Sequence, residues 1–234
     1  MLNISTNIRQ ALSSLLPLGC VLALLMTSAC ESEEYETGDG TYSYMRADFV
    51  EALSGEAKTL TGAVTDDNVS LTITPALSCS WATTADSIYR ALLYYHVNTE
   101  SPQTVEGISA TQVIVLRLPQ KTPEKTLTDP LSLESAWTSA NGTYLNLGLL
   151  VKTGKAKEEN TKQVLGLVRD TIITNENGVQ EHYLRLLHNQ NGVPEHYSTK
   201  VYASIPLTNF QKGDILHLDV NTYNGSLTRT FFIK

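Results

Sequence analysis

The chain has 234 residues, 41% of them hydrophobic and 18% charged. That is enough apolar material for a core and excludes a wholly disordered polypeptide. A formal charge of −7 argues against nucleic acid as a partner, because phosphate binding needs a basic face, and three cysteines are too few for a disulfide scaffold.

Residues 1–29 carry one basic residue, Arg9, and no acid. An apolar stretch through Leu15, Leu16, Leu18, Val21, Leu22, Leu24 and Leu25 runs into Thr27-Ser28-Ala29-Cys30. A basic start, an apolar middle and small residues before the break describe a secretory signal peptide. Small residues directly before a cysteine resemble a bacterial lipobox, which makes Cys30 the expected lipidation site, bearing palmitate-type chains, and the mature N-terminus. Pro17 and Gly19 interrupt the apolar run, and polarity switches sharply after Cys30, which favours processing over an uncleaved anchor. Residues 30–43 open Glu31-Ser32-Glu33-Glu34 and read as an acidic flexible tether. The expectation is an outer-membrane location, lipid-anchored, with the membrane as one partner. The acidic run also resembles a surface-export signal, so cell-surface display and a periplasm-facing position both stay open.

From residue 44 onward the chain alternates with period two. Met45, Ala47 and Phe49 share one face, as do Val69, Leu71 and Ile73. Tyr89, Ala91, Leu93, Tyr95 and Val97 follow, then Leu145, Leu147, Leu149 and Val151. Val201, Ala203, Ile205 and Leu207 precede Leu216, Leu218 and Val220. Such alternation predicts half-buried strands, because successive side chains point to opposite faces. Asn-Gly pairs at 141–142, 177–178, 191–192 and 224–225, together with Asp66-Asp67-Asn68, predict turns. Residues 119–134 are proline-rich and poor in apolar residues, as linkers are. The fold class is therefore all-β. A small barrel of OB-like size is expected at 44–118, a linker at 119–134 and a β-sandwich at 135–234.

These residues also carry a resemblance. Gly62-Ala-Val-Thr-Asp66-Asp67, Tyr89-Arg-Ala-Leu-Leu-Tyr-Tyr-His-Val97, Asp129-Pro130 with Trp137, Tyr144-Leu-Asn-Leu147 and Leu184-Arg-Leu-Leu-His-Asn189 resemble the NigD-like lipoproteins. The resemblance implies an N-terminal OB-like domain and a C-terminal immunoglobulin-like β-sandwich, and it implies no enzyme activity.

No catalytic or metal signature stands out. His182, His188 and His196 lack a tight metal-ligand spacing and read as solvent-facing strand and loop histidines. Asp66-Asp67-Asn68 lacks the later glutamate of a calcium loop. Neither a metal nor a cofactor is expected, no catalytic residue is assigned, and Cys79 reads as a small buried side chain. Asp86-Ser87-Ile88 and Asp170-Thr171-Ile172 resemble O-glycan acceptor sites, and modification there would require exposure. Tyrosine is abundant, 11 against four Phe and two Trp. Tyr94, Trp81 and Trp137 are the candidates for an aromatic ligand platform. The expected function is a non-catalytic binding or accessory protein for an extracellular glycan or peptide. The alternative is an assembly subunit that docks on another envelope protein.

Overall fold

The computed structural model describes residues 45–98, 100–121, 126–155 and 161–234. The signal peptide, Cys30 and the acidic tether lie outside the described residues. The described chain is built from strands and contains no α-helix, only a 3-10 turn at Leu207–Asn209.

The first half closes on itself. Strands β1 (Met45–Ser54), β2 (Thr59–Thr65), β3 (Ser70–Ser78), β4 (Ile88–Val97) and β5 (Thr104–Gln112) form a barrel in the order β1-β2-β3-β5-β4. All pairs are antiparallel except β3 with β5. Leu71, Ile73, Ala91, Leu93 and Tyr95 face inward as the alternation predicts, whereas on β1 it is Val50 and Ala52 that join this buried cluster, and the Met45, Ala47 and Phe49 face points out of the barrel. Cys79 belongs to it, and burial pushes its thiol pKa up.

The second half is a two-layer sandwich. Its strands are β6 (Ile114–Val115), β7 (Ser132–Thr138), β8 (Tyr144–Thr153), β9 (Val164–Thr174), β10 (Gln180–Asn189), β11 (Tyr197–Pro206), β12 (Ile215–Thr222) and β13 (Gly225–Phe232). One sheet runs β13-β12-β10-β9 and the other β6-β11-β8-β7. Leu145, Leu147, Leu149, Leu184, Leu186, Ala203, Ile205, Leu216 and Leu218 fill the space between them. The all-β class, with a small barrel followed by a sandwich, is the one expected.

The turn signals hold with one difference. Gly142, Gly178 and Gly225 take positive φ at the tips of the β7–β8, β9–β10 and β12–β13 hairpins. Asn191-Gly192, also at positive φ, instead crosses from one sheet to the other between β10 and β11.

The proline-rich segment differs from a free linker. Asp129 N donates to His188 O at 2.8 Å, His188 N donates to Leu127 O at 2.9 Å, and Leu131 is 1% exposed in the sandwich core. Pro130 has no N–H, but Asp129 and Leu131 on either side do, and Leu131 N reaches Asn221 O at 3.2 Å. Upstream, Ile114 and Val115 leave the barrel and pair in parallel with Ala203 and Ser204 of β11. Ile114–Leu116, Leu118 and Leu127–Leu131 therefore pair or pack with the sandwich, while Pro119, Gln120 and Lys121 between them are exposed.

Candidate functional site

The barrel sits on the outer face of the β6-β11-β8-β7 sheet, and a buried polar latch joins the two. Arg90 on β4 is buried, and its guanidinium grips Asp66 from both ends: Nη1 lies 2.7 Å from Oδ1, and Nη2 donates to Oδ2 at 2.8 Å. The same Nη2 donates to Asn146 Oδ1 at 3.0 Å, and Nε donates to Ser204 Oγ at 3.2 Å. Asn146 Nδ2 closes the ring on Asp66 Oδ2 at 2.8 Å. The guanidinium carbon lies 4.1 Å from the Tyr144 ring centroid and 5.5 Å from that of Phe49. A planar fork suits this place because it feeds several acceptors while its face stacks on a ring. Tyr144 in turn donates to Glu51 at 2.7 Å. Burial, reinforced by Glu51, pushes the Tyr144 phenol up to about 12.

Trp137 belongs to this junction. Its ring meets Phe49 edge to face at 5.3 Å, and Phe49 meets Tyr202 in the same way at 5.3 Å. Trp81 is a barrel residue: Nε1 donates to Ala110 O at 3.2 Å, and its ring packs edge-on against Tyr89 at 5.7 Å. The three aromatic candidates are therefore not brought together. Tyr94 is half-buried on the outer wall of the barrel and lines a cleft.

That cleft, about 320 Å³, lies between the barrel and β11, and is lined by Leu92, Tyr94, Gln112, Ile114, Val201 and Tyr202 among others. A second cavity of about 510 Å³ opens between the sandwich sheets, walled by Ile114, Val151, Leu165, Val193 and Val201 with Lys155 and Lys162 at its margin. Ile114 and Val201 line both, so the two spaces meet as one trough along β11. Aliphatic side chains give most of its wall, with threonines, Gln163 and lysines between them and Tyr94 at one side, and no carboxylate of the described residues lines it.

The histidines depart from the solvent-facing expectation. His182 and His188 are 2% and 1% exposed, because both fall on the inward face of β10. His182 Nε2 faces Asp214 Oδ2 at 3.0 Å, its ring meets Phe210 edge-on at 4.9 Å, and its Nδ1 is buried without a hydrogen-bond partner. His188 contacts Asp129 O at 3.0 Å and Gln163 Oε1 at 3.1 Å, which stitches the proline-rich segment to the sheet. Among the described residues, no three His, Cys, Asp or Glu side chains converge to hold a metal.

Sequence reading also missed an array on the outer face of the other sheet. His217 Nδ1 lies 2.9 Å from Thr230 Oγ1, and its Nε2 lies 3.3 Å from Glu181 Oε2. Tyr183 stacks on the ring at 4.6 Å. These residues meet only through strand register, Tyr183 opposite His217 and His217 opposite Thr230. The hydroxyl, imidazole and carboxylate order is that of a nucleophile with its base. The array lies on the outer face of its sheet, and neither cavity of the trough touches it.

Comparison with known proteins agrees with the architecture. A NigD-like immunity protein from Bacteroides caccae superposes with a TM-score of 0.61 at 18% identity, covering 81% of this chain and 97% of that one. A candidate toxin-related protein from Parabacteroides distasonis gives 0.60 at 14% identity, covering 80% and 92%. A candidate lipoprotein from Bacteroides fragilis gives 0.53 at 13% identity, covering 81% and 98%. At such identities the likeness concerns fold alone. No curated protein matches. A family model described as the NigD-like C-terminal beta sandwich domain matches residues 114–233, beginning where β6 leaves the barrel. That match spans more than half of the chain, and the protein belongs to the NigD-like family.

Proposed function

We propose that this protein is a non-catalytic binding lipoprotein, held on the outer membrane through lipid on Cys30, which displays its barrel and sandwich to an extracellular ligand. The observation that carries the binding reading is the trough along β11. Ligand sites are concave, mostly apolar and edged by a few polar groups, and this trough has that character. Support for the anchor comes from the run into Cys30, from the fold shared with a candidate lipoprotein, and from the lack of any described helix long and apolar enough to cross a membrane. Stable attachment needs more than one acyl chain, which a lipidated cysteine with an acylated amine supplies.

The second reading, an assembly subunit, is favoured by a specific feature. Strand β6 pairs with only two residues of β11, and a bare strand edge invites another chain.

Two measurements test the proposal. Mass spectrometry of envelope extracts is expected to find an acylated N-terminal Cys30, and an unmodified residue 30 in a full-length chain would refute the anchor. Glycan and peptide arrays probed with the full chain in detergent are expected to give hits that Val201→Trp, which crowds the trough, abolishes. Hits that survive that substitution would place binding elsewhere.

A further inference from the structure

The sandwich lacks most of one strand. Its first sheet has four strands of eight to eleven residues, but β6 in the second has two. Ile114 and Val115 cover β11 only at Ala203 and Ser204. Among the described residues, nothing pairs with the same side of β11 from Tyr197 to Val201, and the Ala203–Ile114 register takes up the Tyr202 carbonyl.

Strand geometry says which groups are left bare. Leu116 N donates to Ser204 O at 2.9 Å, so Ser204 turns its backbone toward β6. The register with β8 is unbroken from Tyr197 to Pro206. Backbone direction alternates along a strand. Lys200 and Ser198 therefore point both their N–H and C=O groups out of the sheet, Tyr202 adds its N–H while Ile114 takes its carbonyl, and Thr199 and Val201 point theirs to β8. The bare groups open onto the trough. On the inner side, Ile114, Thr199 and Val201 border the 510 Å³ cavity, and Ile114 is 41% exposed for want of a neighbour. On the outer side, Tyr94 and Tyr202 border the cleft under the barrel.

Edge lysines usually discourage strand addition. Here the Lys200 side chain lines the outer cleft, and its ammonium is paired with Glu134 on β7. Among the described residues, the charged side chains at the inner cavity are Lys155 and Lys162, in a chain of net −7.

The geometry points to a β-strand addition site. An extended segment of a partner protein lies along Ser198–Tyr202 in line with β6, its backbone pairs with the bare groups, alternate apolar side chains fill the sandwich cavity, and flanking carboxylates meet Lys155 and Lys162. This deepens the binding reading and rests on it. The protein's own tether matches the charge, with Glu31, Glu33, Glu34, Glu36 and Asp39, but its large side chains of apolar body are Tyr35 and Tyr42, seven residues apart and neither aliphatic, a poor fit to an aliphatic cavity.

The test uses the full chain in detergent and a fluorescein-labelled peptide of about seven residues, Asp-Val-Thr-Val-Thr-Val-Glu, with blocked ends. Anisotropy is expected to show saturable binding. N-methylation of alternate amides should weaken it by about tenfold or more, since each lost backbone bond contributes on the order of a factor of ten. Lysine in place of both flanking acids should weaken it as well. Lys200→Pro, which removes an outward N–H, should match the N-methylation effect, and Lys200→Ala, which keeps that N–H, should not. Thr199→Trp, which fills the cavity mouth, gives the same readout if the proline variant does not fold. Hydrogen exchange should show Lys200 and Tyr202 amides protected by the peptide. No peptide binding, equal binding of the N-methylated peptide, or indifference to both Lys200→Pro and Thr199→Trp would overturn the site. Self-association of the chain abolished by Lys200→Pro would assign the edge to a second copy and also overturn it. Glycan hits that persist while the peptide fails would leave the binding reading standing and remove this inference alone.

Discussion

Arg90 shows how much one side chain can decide. It sits in an apolar strand, with Ala91, Leu92 and Leu93 following, where a charge is costly unless every donor is used. Asp66, Asn146 and Ser204 use them. Arg90→Met is expected to cost about 3–5 kcal/mol, because it leaves the Asp66 carboxylate at a covered junction with a neutral amide donor, Asn146, in place of its cation. Urea unfolding would measure this. Arg90→Lys should recover little, since an ammonium cannot serve both Asp66 oxygens and Asn146 while stacking on Tyr144. The tyrosines give a pH prediction. Burial and the nearby Asp48 and Glu51 raise Tyr95 and Tyr144 from 10 to about 12. The unfolded chain releases these protons near pH 10 while the folded chain holds them. The stabilisation is thus complete below pH 10 and lost between pH 10 and 12. Melting temperatures are expected to fall through that window, and more gently in Tyr144→Phe.

At the scale of the strand, β11 has two unlike edges. Val201 gives its N–H to β8, whereas Lys200 gives its own to no described strand. Val201→Pro should therefore cost about 3 kcal/mol or more, and Lys200→Pro less than half of that, with the edge tolerating what the ladder does not. Chemical denaturation of the pair would check the difference, and equal losses would contradict the assigned direction of the backbone. Gly148 makes a related point on β8: a Cβ there would run into the Ser135 hydroxyl, beside the bulge between Leu133 and Ser135. Gly148→Val is expected to destabilise the β7–β8 pair by about 1–3 kcal/mol, read by thermal unfolding.

In the whole molecule, the barrel and sandwich share the Arg90 latch, the Phe49–Trp137 and Phe49–Tyr202 contacts, and a turn-to-turn bond from Asn141 N to Asp66 O at 2.8 Å. Calorimetry is expected to show one transition. Phe49→Ala, which empties the junction between Trp137, Tyr202 and Arg90, should split it into two, since it removes about 3–5 kcal/mol of coupling. Four of the five segments that carry the family resemblance, with Asp66, Arg90, Trp137, Tyr144 and Asn146 among their residues, meet at this junction, and the fifth, Leu184–Asn189, lies on the other sheet. What unites those residues in space is the joining of two domains.

The amino-acid sequence by itself determined the strands and turns and, along β3, β4, β8, β11 and β12, which side chains face inward. These depend on the period-two alternation and on positive φ at glycine, both local properties of the chain. The tertiary structure alone decided what lies beside what. It placed Ile114 against Ala203 rather than in the barrel, buried His182 and His188, aligned Thr230 with His217, and left one side of β11 open. Strand order and register join residues tens of positions apart, and the alternation that reveals a strand is the same whichever neighbour it takes.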